Sequence, residues 1–360
     1  MTIKKINIVI AVGIVVIAGT LIRNSNFSKN REESGSNPEI NLILRDLSKY
    51  ITGINVSGEK IVIVLHNSEV VDSKGKPLDF LERTIERTLK EKLVANNFTV
   101  VNVQVPCTTE AECINELYEA GIGIRNLEPE AIIYTSPVSG VNTEVFNQIL
   151  NSSNIDIYVY KTDSLLNYKL YVGPDNLGLG TKAAEYILSQ SNPSKNSVLY
   201  IESFEDITKN SLDNAYPRIN TARQLLEQKG YQTVDTLYTS WRENETYDKV
   251  KALLTSNPDV DYIITPSSET ARGAATAVKE LNLQSKIDII SLDFNELVKD
   301  MILQRDIKAA VGQDIIKQAT VIAESIIEEK DYYETKLLFH SDVITIENIE
   351  NFRDNKGYIY

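Results

Sequence analysis

Residues 262–295 read Y-I-I-T-P-S-S-E-T-A-R-G-A-A-T-A-V-K-E-L-N-L-Q-S-K-I-D-I-I-S-L-D-F-N. The opening Y-I-I-T is a short apolar, β-rich run, the pattern of a strand buried on both faces. Residues 269–281 then carry helical spacing, and residues 287–292 return to a second apolar run. Strand, helix and strand within about thirty residues form one βαβ unit, whose strands are parallel and whose crossover is right-handed.

The same alternation extends in both directions. Toward the C-terminus it predicts a helix over 295–303, a strand over 309–311, a long helix over 315–329 and a β-like tail. Toward the N-terminus it predicts helix 246–255, strand 233–238, helix 217–229, strand 197–201 and helix 176–189. An earlier run repeats the pattern. Its strands are expected at 61–65, 98–105, 131–134, 155–160 and 170–172, and its helices at 78–95, 109–120 and 145–150. Two runs of about five strands imply an α/β fold of two doubly wound parallel-sheet lobes, since the chain is too long for one such unit. Asn37-Pro38 reads as the cap and first position of a further helix, stopping near Gly53.

The N-terminus carries Lys4 and Lys5, then an uncharged apolar run over residues 6–22. That is the pattern of a secretory signal or a retained membrane anchor. Residues 24–37 are polar and rich in Ser and Asn, a tether. The rest of the chain is therefore expected outside the cytoplasmic membrane. Cys107 and Cys113 enclose T-T-E-A-E, a loop that either closes as a disulfide in an oxidising compartment or leaves two thiols.

Composition removes several function classes. The 360 residues hold 37 Lys plus Arg against 50 Asp plus Glu, a formal net charge of -13, with no concentrated basic patch. Such a surface repels phosphate backbones, so no nucleic-acid partner is expected. Two His and two Cys cannot build the usual closed zinc site, and they leave little for a Ser-His hydrolase. Nucleophile elbow, Walker loop, dinucleotide fingerprint and D-x-D-x-D-G calcium loop are all missing. No metal or cofactor is expected, and no enzyme.

Open α/β sheets bind ligands beyond the carboxyl ends of their strands. The residues there are His66-Asn67-Ser68, Ser136-Pro137, Lys161 to Asp163, Ser267-Ser268, Asp293-Phe294 and Gln313. Amides, hydroxyls and carboxylates predominate, the groups a polyhydroxylated ligand needs.

Several motifs carry a resemblance. G-P-D-N-L-G-L-G-T-K-A-A-E-Y-I starts at Gly173, P-R-I-N-T-A-R-Q-L-L-E-Q-K-G at Pro217 and S-S-E-T-A-R-G-A-A at Ser267. S-L-D-F-N, V-G-Q-D and I-T-I-E-N-I follow in order. Together they resemble the type I periplasmic binding proteins of the ribose and galactose class, over residues 59–352. The resemblance implies two lobes joined by three crossovers, residues 58–174 with 314–338 and residues 175–313 with 339–360, after an anchor or signal (1–23) and a tether with a short helix (24–57). It implies hinges near Gly173, Gln313 and Phe339.

The same resemblance implies ligand-binding roles for Asn67, Asn176, Arg218, Tyr247, Ser267, Asp293 and Gln313, with Tyr247 stacking on the ligand. Ser136, Lys161 and Asp163 join them from the strand-end positions. Each has a structural alternative: capping for Asn176, a surface ion pair for Arg218, a turn for Asp293, and packing for Tyr247 and Trp241. Glu69 and Val70 stand where the family has stacking aromatics. The function implied is capture of a sugar-like ligand in an interlobe cleft, for an ABC permease. The alternative is ligand sensing for a membrane kinase or chemoreceptor.

Overall fold

A computed structural model describes residues 47–352, apart from residues 56, 59, 67–79, 106–109, 136–143, 153, 162–166, 191–193, 206–214 and 258. The expected anchor (residues 6–22) and tether lie outside the described residues, as do Asn67, Cys107, Ser136 and Asp163. Cys113 falls within a helix, in a stretch whose side chains are not described. No helix among the described residues is long and apolar enough to cross a membrane.

The chain divides into two compact units, residues 1–173 with 318–337 and residues 174–317 with 338–360. In the first unit the order is β1 (Ile51–Asn55), β2 (Lys60–His66), α1 (Phe80–Ala95), β3 (Phe98–Gln104), α2 (Glu110–Leu127), β4 (Ala131–Tyr134), α3 (Glu144–Asn151), β5 (Asp156–Tyr160) and β6 (Leu170–Pro174). In the second unit α4 (Asn176–Ser189), β7 (Ser197–Glu202), α5 (Ala215–Glu227), β8 (Gln232–Tyr238), α6 (Glu243–Ser256) and β9 (Tyr262–Thr265) come first. α7 (Ser268–Glu280), β10 (Asp288–Ser291), α8 (Glu296–Leu303) and β11 (Ala309–Val311) follow. α9 (Ile315–Ile327) follows, β12 (Lys336–Phe339) joins the first sheet and β13 (Val343–Ile344) the second.

The first sheet runs β1-β3-β2-β4-β5-β6-β12 and the second β13-β11-β10-β9-β7-β8. Within each, the parallel strands in chain order take the arrangement 2-1-3-4-5, the doubly wound order whose direction reverses beside its first strand. The apolar runs explain the register. Val62 to Leu65 align with Ala131 to Tyr134, and Ile263 to Thr265 with Ile289 to Ser291, so buried side chains stack in rows. Each unit has its own core: one around Ile63, Val101, Ile132 and Tyr134, the other around Leu199, Ile263, Ile289 and Phe294.

Two features depart from the sequence reading. Both sheets are mixed, because β1 pairs antiparallel with β3 and β13 antiparallel with β11. The helix expected to run on toward Gly53 gives way to strand β1. Leu47 and Tyr50 are fully buried in the first unit's core, and Ile51 and Ile54 pack against it. The open edge of β3 supplies ladder hydrogen bonds to a segment whose β-branched residues fit a pleated surface, and tertiary pairing overrides the helical spacing upstream.

Candidate functional site

In the second unit, Ser267, Asp293 and Gln313 follow the carboxyl ends of β9, β10 and β11, and Asn176 and Arg218 come from the first turns of α4 and α5. Arg218 lies in the first turn of α5, the next helix along the chain after β7, and it is buried. The guanidinium Nε donates to Asn176 Oδ1 at 2.7 Å, and Nη1 donates to Pro266 O at 2.8 Å and Leu292 O at 3.4 Å. Those acceptors lie at the start of α4, after β9 and after β10. One arginine therefore ties three loops together and holds a positive charge at a fixed place.

Close packing of α4 on α5 makes this possible. A Cβ at Gly180 would collide with Arg218 O, so only glycine lets the two helices approach far enough for Asn176 to meet Arg218. Asp175 caps α4, its Oδ1 accepting from Gly178 N–H at 2.9 Å. Asn176 is thus the first helical residue, and its amide is turned to Arg218 instead of capping.

Asp293 follows β10 and is 3% exposed. Ser291 Oγ donates to Asp293 O at 2.8 Å, and Asn295 caps α8, so the turn around the carboxylate is fastened on both sides. Oδ1 accepts from Phe294 N–H at 3.0 Å and from Gln313 Nε2 at 3.2 Å. Among the described residues nothing donates to Oδ2. Burial pushes the carboxyl up to about 6, against the opposing pull of Arg218, and Glu269 adds to the rise. The result is a desolvated acceptor oxygen beside a pinned cation, both set before any ligand arrives.

Ser267 is also buried at this edge, where it serves as the N-cap of α7. Its Oγ accepts from Thr270 N–H at 3.3 Å while Ser267 N–H donates to Thr270 Oγ1 at 3.2 Å. Lys161, in the first unit, follows β5 with a left-handed backbone (φ 65°), and its carbonyl accepts from Tyr171 Oη.

Tyr247 is placed away from this cluster. Its hydroxyl donates to Glu280 Oε2 at 2.7 Å and accepts from Lys251 Nζ at 2.6 Å. Glu280 ends α7, about 18 Å along the helix from the end that Ser267 caps. Trp241, the single tryptophan, lies nearer a strand end than Tyr247 does. It follows β8 at the carboxyl edge, half-buried, and both Ser240 (φ 46°) and Trp241 (φ 61°) are left-handed. Two consecutive non-glycine residues in that region are costly. Hydrogen bonds hold the loop: Thr239 N–H to Glu202 O, Ser240 N–H to Ser203 O and Arg242 N–H to Thr239 O. The available sequence signal was position, since Trp241 lies three residues past a strand end and Tyr247 lies inside a helix.

The signature of the periplasmic binding protein domain matches residues 77–331. The chain belongs to the periplasmic binding protein family. Members of this family bind solutes without transforming them, and membership implies a place outside the cytoplasmic membrane. Among curated proteins, the D-apiose import binding protein of Paraburkholderia graminis is 29% identical over 100 residues, which span 28% of this chain and 30% of that protein. Among solved structures, a solute-binding protein of an ABC transporter from Actinobacillus succinogenes, with bound D-allose, superposes with a TM-score of 0.66 at 17% identity. That match covers 81% of this chain and 100% of the other. The fructose-binding periplasmic domain of a hybrid two-component system gives 0.64 at 14% identity, over 80% and 91%. At these identities the structural likeness speaks for the fold alone.

Proposed function

We propose that this periplasmic binding protein captures a neutral, polyhydroxylated small molecule of the sugar class and delivers it to an ABC permease. The carrying observation is Asp293: a buried carboxylate with one oxygen held by Phe294 and Gln313 and the other unengaged by any described residue, beside the fixed guanidinium of Arg218. Hydroxyl groups donate to Oδ2 and accept from a charged donor, and each charge-assisted bond is worth about 1.5–3 kcal/mol. Asn176 and Gln313 hold the two charges in place, and Trp241 offers a face for the C–H side of a sugar ring. The partial match to a D-apiose import protein supports the ligand class and the import role. Asn67, Ser136, Lys161, Asp163 and Ser267 belong to the proposal as further contacts.

A second reading gives the protein a sensory output. It rests on residues 6–22, which as a retained anchor would keep the protein at the membrane, and on the use of this scaffold in a two-component system. Uptake of the ligand by vesicles carrying the cognate permease separates transport from sensing.

The ligand reading is tested by thermal shift over pentoses, hexoses, aminosugars, polyols and nucleosides. Ligand at a hundred times its Kd adds roughly 2.7 kcal/mol, several degrees of Tm. Asp293→Ala and Arg218→Ala should each abolish the shift. A ligand whose binding ignores both substitutions would refute the site.

A further inference from the structure

His340 is one of two histidines in the chain, and nothing in the ligand site uses it. It lies where the chain passes for the third time between the units, three residues after residue 337. The first passage is beside Asp175, and the second follows Asp314 and Lys317. His340 Nδ1 is 2.8 Å from Ser341 O, a carbonyl that can only accept, so Nδ1 carries the proton of the neutral ring. The bare Nε2 then faces Asp175 Oδ2 at 3.7 Å. A Cβ at Gly178 would collide with the imidazole, so the ring is seated directly on the first turn of α4.

The two aspartates are arranged alike. Asp175 gives Oδ1 to the first turn of α4, and Asp314, left-handed at φ 52°, gives Oδ1 to Lys317 N–H at 3.3 Å in the first turn of α9. Burial raises the Asp314 carboxyl, and Lys317 and His340 draw it back. The ionisable groups near the ring are therefore Asp175 and Asp314, with Lys317 beside Asp314 and the exposed Asp342 two residues further along the chain.

The surrounding bonds run to the ligand site. Phe339 O accepts from Asp175 N–H at 2.8 Å, adjacent to Asn176. Ser341 N–H donates to Gly312 O at 2.8 Å and Ser341 Oγ accepts from Gly312 N–H at 2.7 Å, adjacent to Gln313.

We propose that His340 is a proton-operated clamp on the three chain passages, and a positioning residue for Asn176 and Gln313. In the neutral ring a lone pair on Nε2 opposes the lone pairs of Asp175. Protonation places an N–H there, turning opposition into an ion pair with Asp175 and an attraction to Asp314. The passages stiffen, and the residues that hold Arg218 and Asp293 stiffen with them.

Hydrogen–deuterium exchange of the unliganded full chain tests this, read on peptides covering residues 171–180, 312–318 and 336–342 and corrected for intrinsic rates. Wild type should exchange about two- to five-fold more slowly at pH 5.5 than at pH 8, the factor that a partly exposed ion pair supplies. His340→Gln should exchange at the faster rate at both pH values, and His340→Lys, charged throughout, at the slower. Asp175→Asn keeps the helix cap and should lose most of the pH response. Asp293→Asn should retain it, which separates the clamp from the site carboxyl. A pH response that persists in His340→Gln, or that vanishes in Asp293→Asn, overturns the proposal.

Discussion

Arg218 Nε and Asn176 Oδ1 meet at 2.7 Å, joining the first turns of two helices that are 42 residues apart in sequence. The contact converts a long, flexible cation into a fixed one. Freezing a free arginine on ligand binding costs roughly 2 kcal/mol of side-chain entropy, and here that cost is met on folding.

Gly180→Ala should break this arrangement. The new methyl group meets Arg218 O, which cannot yield without moving α5. A loss of about 1–3 kcal/mol of stability is expected, together with weaker ligand binding from a site the substitution does not touch. Denaturant melts and a ligand titration on the same preparation check both; unchanged affinity would show that the helix spacing does not set the site.

Asp293→Asn should lose the ligand yet stabilise the free protein at neutral pH. The native carboxyl sits at about 6 against 3.8 without the fold, so the native state holds the proton more tightly. Wild-type stability therefore declines as pH rises from about 4 to about 6 and is level above that. The difference is on the order of 3 kcal/mol. Asparagine carries no charge to bury. Its melting point should exceed that of wild type at pH 7.5, and the gap should close below pH 4; an equal gap at both would contradict the burial argument.

Trp241 is the single tryptophan, so its fluorescence reports on the carboxyl edge of the second unit without labelling. A bound sugar should change its emission. Trp241→Phe should keep much of the affinity, and Trp241→Ala should weaken it by about 1–2 kcal/mol through lost stacking and burial. Emission that ignores a ligand already confirmed by thermal shift would remove Trp241 from the site.

Truncation distinguishes a tether from a structural strand. A chain beginning at residue 59 loses Leu47 and Tyr50 from the first unit's core and uncovers the edge of β3. It should be less stable than one beginning before Leu47 by at least about 3 kcal/mol, since burying each such side chain contributes roughly 1.5–3 kcal/mol. Thermal melts of the two chains decide it, and equal stability would mean that β1 contributes nothing.

Read alone, the sequence determined most of the architecture. Continuous apolar runs such as residues 61–65 and 262–265 can only be strands covered on both faces, and the helical spacing between them forces parallel connections. Position after a strand was enough to single out Asp293 and Gln313 as candidates, because the fold class itself puts ligand sites there, whereas Arg218 came from the resemblance of its motif. Three things needed the tertiary structure. β1 forms because the β3 edge is open to it, a partner that no local pattern reveals. Tyr247 is turned to Glu280, and a strained left-handed loop carries Trp241 just past β8, because helix rotation and loop geometry decide placements that sequence spacing leaves ambiguous. The Asp293 oxygen to which no described residue donates, and the pairing of His340 with Asp175, depend on distances between segments far apart in the chain, and hydrogen bonding and burial act on those distances, which sequence order does not contain.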